Sequence, residues 1–437
     1  MALKREYPCI ACAESGSGPA VPGVAATGTA LSPATIRTVK ATAPILRERG
    51  LEITRRLYEI LFQNEEIKSL FNQAHHSQEG SQPRALAGAV HAFADNIDRL
   101  DEYVPMIERI TQKHVGLNIR PEHYPYVGRA LIGALIDVLG EAATEDVIAA
   151  WTQAYDFLAY TLMSREHELY EVRALAPGGW VGWRDFAVER IVSESETVKS
   201  FYLRPADSGP LMAFQPGQYL TVRFDIPGHG PVTRNYSISS APQRDHYRIS
   251  VKREDPPEEA PYAPPGLASH YLHGEVSVGR VVRVSPPAGD FYLDEASHRP
   301  VALLSGGVGL TPVLSMLEYL VEHDAPREIW FVHATRCGRE HAMKRHVRDL
   351  AAAYTAVHSV VFYTNPMPED VLGRDYDLPG RITMEWLKGE LAVVDLDFYF
   401  CGPEGFMRML AIGLRALDVP DERIHFEFFG PAEALYA

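Results

Sequence analysis

The hydrophobic period changes twice along this chain, and that constrains the fold more than any single motif. Over residues 31–173 apolar side chains recur at helical steps. Ile107 and Ile110 lead to His114 after Tyr103 at steps of four, three and four, and Gln82, Leu86, Val90, Phe93 and Ile97 form a second stripe. Such spacing predicts amphipathic helices with one apolar face each. Residues 183–297 switch to short alternating runs such as "KSFYLRP", "GQYLTVRFDI", "RNYSISS" and "HYRISVKRE", separated by Gly, Pro and Asp. That pattern predicts an antiparallel β-barrel or sandwich. From 298 to 437 apolar strands ("PVALLSGG", "REIWFVHA", "AVHSVVFYT", "DFYFCGP") alternate with helical segments, the sequence form of a mostly parallel α/β sheet. The expected order is therefore all-α, then antiparallel β, then α/β.

Residues 174–182, around "APGGWVG", read as a linker, and residues 1–30, rich in Ala, Gly, Pro and Ser, as a flexible extension. The proline-rich insert at 255–266 reads as an exposed loop. At 437 residues each region is long enough to bury a core. Against 42 basic residues stand 57 acidic ones, a net charge of −15 that argues against a nucleic-acid surface or an anionic membrane as partner. Four scattered cysteines give no disulfide framework, and the Cys9/Cys12 pair lacks companions for a metal. There is neither a secretory signal nor an apolar run of about 18 residues, so a cytoplasmic monomer is expected.

Three constellations carry chemistry. In "VALLSGGVGLTP" a strand runs into Gly306, Gly307, Val308 and Gly309, and a helix opens around Leu310, Thr311 and Pro312. Glycines let a backbone approach a pyrophosphate, and the helix end offers free N–H groups. A second turn, Cys401-Gly402-Pro403, follows a parallel strand and so falls at the same carboxyl edge. In the β region Arg234 can pair with a phosphate, Tyr236 offers a flat face to a ring, and Ser237 is a short donor. In the α region His114 ends an apolar stripe, where a histidine is either a satisfied core residue or a ligand. Two facing helices with one polar end each are what a haem pocket needs.

Taken together, Arg234-Asn235-Tyr236-Ser237, "GGVGLTP", "CGPEGFM" and the terminal "FEFFGP" make residues 183–437 resemble the ferredoxin–NADP reductase superfamily. With "RLYEILF", "SLFN", "TQKHVG", "PEHYPYVG" and "SREHELY" ahead of them, residues 31–437 resemble a flavohaemoglobin. The resemblance implies haem b, FAD and NAD(P)H as cofactors, and a nitric oxide dioxygenase that turns NO and O2 into nitrate and relieves nitrosative stress. It makes His114 the iron ligand and places Phe71 on the haem face and Lys113 at the cofactor. Tyr58 and Gln82 fall on the distal side, with Tyr124 and Glu166 behind the histidine. It sets Tyr219 and Arg234 to Ser237 against the flavin, and NAD(P)H over Gly306 to Pro312 and Cys401 to Pro403. Phe428, Phe429, Gly430 and Pro431 then lie beside the flavin, and Cys401 is no nucleophile. Leu310 stands where many members carry Gln, a change that leaves phosphate contacts alone. Arg336 and Arg339, after "REIWFVHA", are candidates for the 2′-phosphate of NADPH. Peroxide reduction, anaerobic NO reduction, a gas sensor gating the reductase, and a reductase for an external acceptor use the same parts.

Overall fold

The computed structural model describes residues 30–71, 81–99, 104–242, 245–257 and 260–429. Cys9, Cys12, Tyr103, Gly430, Pro431 and the side chain of Gln82 lie outside the described residues. The first region is helical: α1 (Pro33–Leu61), α2 (Glu65–Ser69), α3 (Ser81–Asn96), α4 (Val104–Gly116), α5 (Tyr124–Leu139) and α6 (Glu145–Leu175). Ser32 starts α1 by accepting from the Thr35 amide at 3.1 Å, with Pro33 in the first turn. Thr144 caps α6, and Glu145 and Asp146 complement its dipole. Val39, Leu46, Ile53 and Leu57 of α1 pack on Phe93 of α3, Leu131 and Leu135 of α5, and Trp151 of α6 in one core. Below that core Ile107 and Ile110 of α4 meet Tyr124, Ala159 and Leu162, so the stripe read from the sequence does face inward.

An antiparallel sheet follows: β1 (Arg184–Ser193), β2 (Val198–Pro205), β3 (Tyr219–Ile226), β4 (Gly230–Ser237), β5 (Tyr247–Lys252) and β6 (Val281–Val284), with α7 (Leu267–Gly274) inserted. Its order is β4-β3-β6-β1-β2-β5, and a bridge between Ile238 and Ile249 curls the two outer strands toward each other. Phe186, Phe201, Leu220, Val222 and Ile249 fill the interior. No periodicity announced α7, which follows the proline-rich insert and packs Ala268, Tyr271 and Leu272 into that interior.

The last region contains β7 (Val301–Gly306), α8 (Leu310–Glu322), β8 (Ile329–Thr335), α9 (Lys344–Ala353), β9 (Val357–Tyr363), β10 (Leu378–Pro379), α10 (Met384–Glu390), β11 (Asp397–Cys401), α11 (Glu404–Arg415) and β12 (Ile424–Glu427). The parallel order is β10-β9-β8-β7-β11-β12. Every residue of β7 is buried because helices cover both faces: Val301 and Leu303 join Leu314 and Leu317 of α8, while Ala302 and Leu304 join Leu410 and Leu414 of α11. The chain leaves β7 in both directions, so the switch point lies between β7 and β11, where an open sheet binds ligands.

A buried ion pair fastens the α/β region to the barrel. Glu318 of α8 meets Arg248 of β5 at 2.6 Å, accepts from the Ala241 amide at 2.9 Å, and lies 2.7 Å from His346 of α9. Burial alone would raise the Glu318 carboxyl, but His346 and Arg248 hold it below its ordinary value. No described helix is long and apolar enough to cross a membrane.

Candidate active site

Three elements converge on His114. It lies in the last turn of α4, Tyr124 opens α5, and Glu166 lies in the second half of α6. Glu166 Oε1 is 2.7 Å from His114 Nδ1 and accepts from the Tyr124 hydroxyl at 2.5 Å. Because the tyrosine proton goes to the carboxylate, the phenol oxygen, 3.1 Å from Nδ1, is also free to accept from the imidazole. Tyr155 donates to the Tyr124 carbonyl at 2.5 Å and Tyr170 to the Ile119 carbonyl at 2.6 Å, so the loop between α4 and α5 is held from α6. Burial and the Glu166 charge push the Tyr124 phenol far up, keeping it a donor.

The other imidazole nitrogen, Nε2, makes no hydrogen bond among the described residues, and the His114 side chain is 31% exposed against 3% for Glu166. In the helical core Tyr58 of α1 lies tilted against Phe62 at 5.2 Å and meets Phe71 edge-on at 5.8 Å. Tyr58, Phe62, Phe71, Leu86, Val90, Ile107 and Ile110 are all only partly buried although they belong to apolar clusters. A histidine with one nitrogen free, in a helical domain whose aromatic and aliphatic side chains stay partly exposed, fits what a haem requires. Burial lifts the Tyr58 phenol to about 12. Lys113, next to the histidine, is exposed.

In the barrel, β3 and β4 pair Tyr219 with Ser237, Leu220 with Tyr236, Thr221 with Asn235 and Val222 with Arg234. Arg234 is half-buried without a carboxylate partner among the described residues, and desolvation lowers its affinity for its proton. A phosphate would supply the missing anion. The Tyr219 hydroxyl and Thr221 Oγ1 are buried and have no hydrogen-bond partner among the described residues. These groups fit a flavin nucleotide. Asn235 is exposed and Ser237 buried.

At the switch point the two glycine turns brace each other. A side chain on Gly309 would strike the Cys401 carbonyl, one on Gly306 would come 2.7 Å from Pro403, and one on Gly402 would come 3.0 Å from the Gly306 amide. Gly307 is different: its φ is +54° and the space beside it is open, which leaves a backbone cradle for a pyrophosphate. Helix α8 begins at Leu310, with Thr311 Oγ1 donating to the Val308 carbonyl at 3.0 Å. Cys401 is fully buried and its thiol is pushed well up, so it is no thiolate nucleophile. Phe428 is partly buried and Phe429 exposed at the end of β12. Arg339 meets Glu369 at 2.8 Å and Glu196 at 3.8 Å, while Arg336 lies 3.4 Å from Glu340.

Some groups carried no advance signal. Phe62 completes the distal aromatic set, although the quoted run "RLYEILF" contains it. Glu427 lies inside "FEFFGP"; burial and Asp290 raise its carboxyl to about 7, against the pull of Lys113 and Arg109.

Known proteins share this arrangement. Residues 54–162 match the globin family, 185–292 the oxidoreductase FAD-binding domain and 303–411 the oxidoreductase NAD-binding domain. A flavohemoprotein of Halalkalibacterium halodurans is 44% identical over 407 residues, 93% of this chain and 98% of that one. One from Bordetella parapertussis is 47% identical over 403 residues, 92% and 98% of the respective chains. The solved flavohemoglobin of Malassezia yamatoensis, with bound FAD and heme, superposes with a TM-score of 0.79 at 25% identity, covering 92% of this chain and all of that one. The FAD/NAD-binding domain of a nitric oxide dioxygenase from Vibrio cholerae covers 57% of this chain and 99% of its own, with a TM-score of 0.51 and 38% identity.

Proposed function

Because this chain belongs to the flavohaemoglobin family, an oxidoreductase family with haem, FAD and NAD sites, we propose that it is an NAD(P)H-dependent nitric oxide dioxygenase. When bound, the flavin and haem supply redox chemistry: two electrons taken together from a dihydronicotinamide, passed singly to iron, and used to turn NO and O2 into nitrate. The residues divide the remaining tasks. His114 would hold the haem iron through Nε2, with Glu166 and Tyr124 placed to accept the Nδ1 proton. A carboxylate acceptor makes an imidazole a stronger electron donor than a neutral one does. Tyr58, protonated at any physiological pH, would keep a hydroxyl donor available to the oxygen substrate. Arg234 pairs with the flavin pyrophosphate, and Gly307 and the start of α8 receive the nicotinamide nucleotide.

The observation that carries this reading is the buried Glu166 carboxylate on one nitrogen of an imidazole whose other nitrogen is left over. A reversible oxygen store has no need of such a strong acceptor. Nitric oxide consumption by the purified protein, requiring both O2 and NAD(P)H and yielding nitrate, tests it. Consumption without nitrate, or without O2, would replace the dioxygenase by a reductase.

A further inference from the structure

The junction of the helical domain with the barrel holds a guanidinium that the reading above leaves unused. Arg173, on α6 two turns beyond Glu166, is 4% exposed and forms no ion pair among the described residues. Its Nη2 donates to Gln112 Oε1 at 2.8 Å, and its Nη1 has no hydrogen-bond partner among the described residues. Gln112 precedes His114 by two residues on α4. Its amide nitrogen donates to Glu108 Oε1 at 2.9 Å, and its oxygen also receives the Gly289 backbone N–H at 3.4 Å. Glu108 Oε2 in turn accepts from Arg165 Nε at 2.8 Å, and Arg165 adjoins Glu166. One side-chain chain thus joins the helix of the histidine, the helix of its carboxylate partner and the barrel loop at Gly289.

That loop is set against Tyr219. Gly289 has φ +118°, a conformation for glycine, and a Cβ there would come 3.1 Å from the Tyr219 ring. From the other side α4 presents Gly116, where a Cβ would lie 2.8 Å from Thr221 Oγ1 and 3.5 Å from the Tyr219 ring. Bare backbone therefore touches both sides of Tyr219, and such close packing holds only if α4 keeps its height on the barrel.

Resting on the proposed flavin and haem sites, we infer that Arg173 is a positioning residue for electron passage between them: through Gln112 it fixes the His114 helix against the Gly289–Tyr219 surface of the barrel. Burying a guanidinium with a single side-chain acceptor is costly. A five-donor fork reaching from α6 is what can hold Gln112 in place while Gly289 shares the same oxygen.

The test compares Arg173→Leu and Arg173→Lys in the full holoprotein by stopped-flow mixing with NADH and by amide hydrogen exchange. In Arg173→Leu, flavin reduction and the flavin midpoint potential are expected to stay unchanged while haem reduction slows between about tenfold and 100-fold. Amides of 104–116 should exchange faster, and Arg173→Lys should restore much of both. Should Arg173→Leu not load its cofactors, Gln112→Met, which removes the shared acceptor, is expected to give the same split. Haem reduction at the wild-type rate, slowing matched by a shifted flavin potential, or unchanged exchange over 104–116 would overturn the inference. Wild-type protein whose haem NADH cannot reduce would remove the functional reading instead, and the exchange measurement would still decide the tether.

Discussion

Glu166 reaches across from α6 to put a carboxylate oxygen 2.7 Å from His114 Nδ1, although Glu166 itself is 2% exposed. A carboxylate is held in such a place only when its acceptor sites are filled, and the Tyr124 hydroxyl fills another. If this pair makes the imidazole electron-rich, Tyr124→Phe combined with Glu166→Gln should keep haem bound but slow nitric oxide consumption by about 10- to 100-fold. An unchanged turnover number in the double variant, measured with a nitric oxide electrode, would falsify the electron-donating role.

His114→Ala is expected to give a yellow protein: flavin bands present, haem stoichiometry near zero. Helix α4 carries no histidine besides His114. Full haem content in the absorption spectrum would assign the iron to a different residue.

Burial raises the Tyr58 phenol from 10.0 to about 12. The fold favours its neutral form, so the stability it contributes is complete below pH 10 and is lost as pH rises through about 12. Tyr58→Phe should therefore lose less stability across that window, and its folded form should show as many phenols ionising near pH 10 as folded wild-type protein does. An ultraviolet difference titration that finds the Tyr58 phenolate already formed at pH 10 would contradict this.

His333, with Ser305 Oγ 2.9 Å from Nδ1, is 2% exposed, and burial lowers its value from 6.5 to about 4. The unfolded chain takes up a proton below pH 6.5 that the fold refuses until about pH 4, so stability falls as pH drops through that interval. The loss at pH 5 amounts to about 2 kcal/mol from this group, and His341, lowered in the same direction by burial, adds to it. Urea midpoints at pH 7 and 5 should differ less in His333→Gln; an equal difference would place the acid sensitivity elsewhere.

The Arg248–Glu318 pair is buried on both sides. Glu318→Gln leaves the guanidinium without its counter-charge, and a loss of about 3–5 kcal/mol is expected. Thermal unfolding reads this directly. Unchanged stability would mean that Arg248 finds a replacement acceptor.

The order of domains could be read in the sequence because each has its own period, and the paired glycine turns because both follow parallel strands. His114, Tyr124 and Glu166 come from three helices, the latter two 42 positions apart, so their meeting depends on how α4, α5 and α6 pack. The family motifs nevertheless named all three, and the helices pack so that their side chains meet. Helix α7 escaped notice because eight residues after a proline-rich insert are too few to show a period. Gln112 and Arg173 were invisible for another reason: each is an ordinary polar residue on a helix, and only the approach of Gly289 gives them a common purpose.

The mutual bracing of Gly306, Gly309 and Gly402 has an evolutionary corollary. A side chain on Gly306, Gly309 or Gly402 would push the two turns apart, so these three positions are closed to changes that could retune which dinucleotide enters. We propose that selectivity is set instead by Arg336 and Arg339, which sit among Glu340, Glu369 and Glu196 and where charge can change one residue at a time.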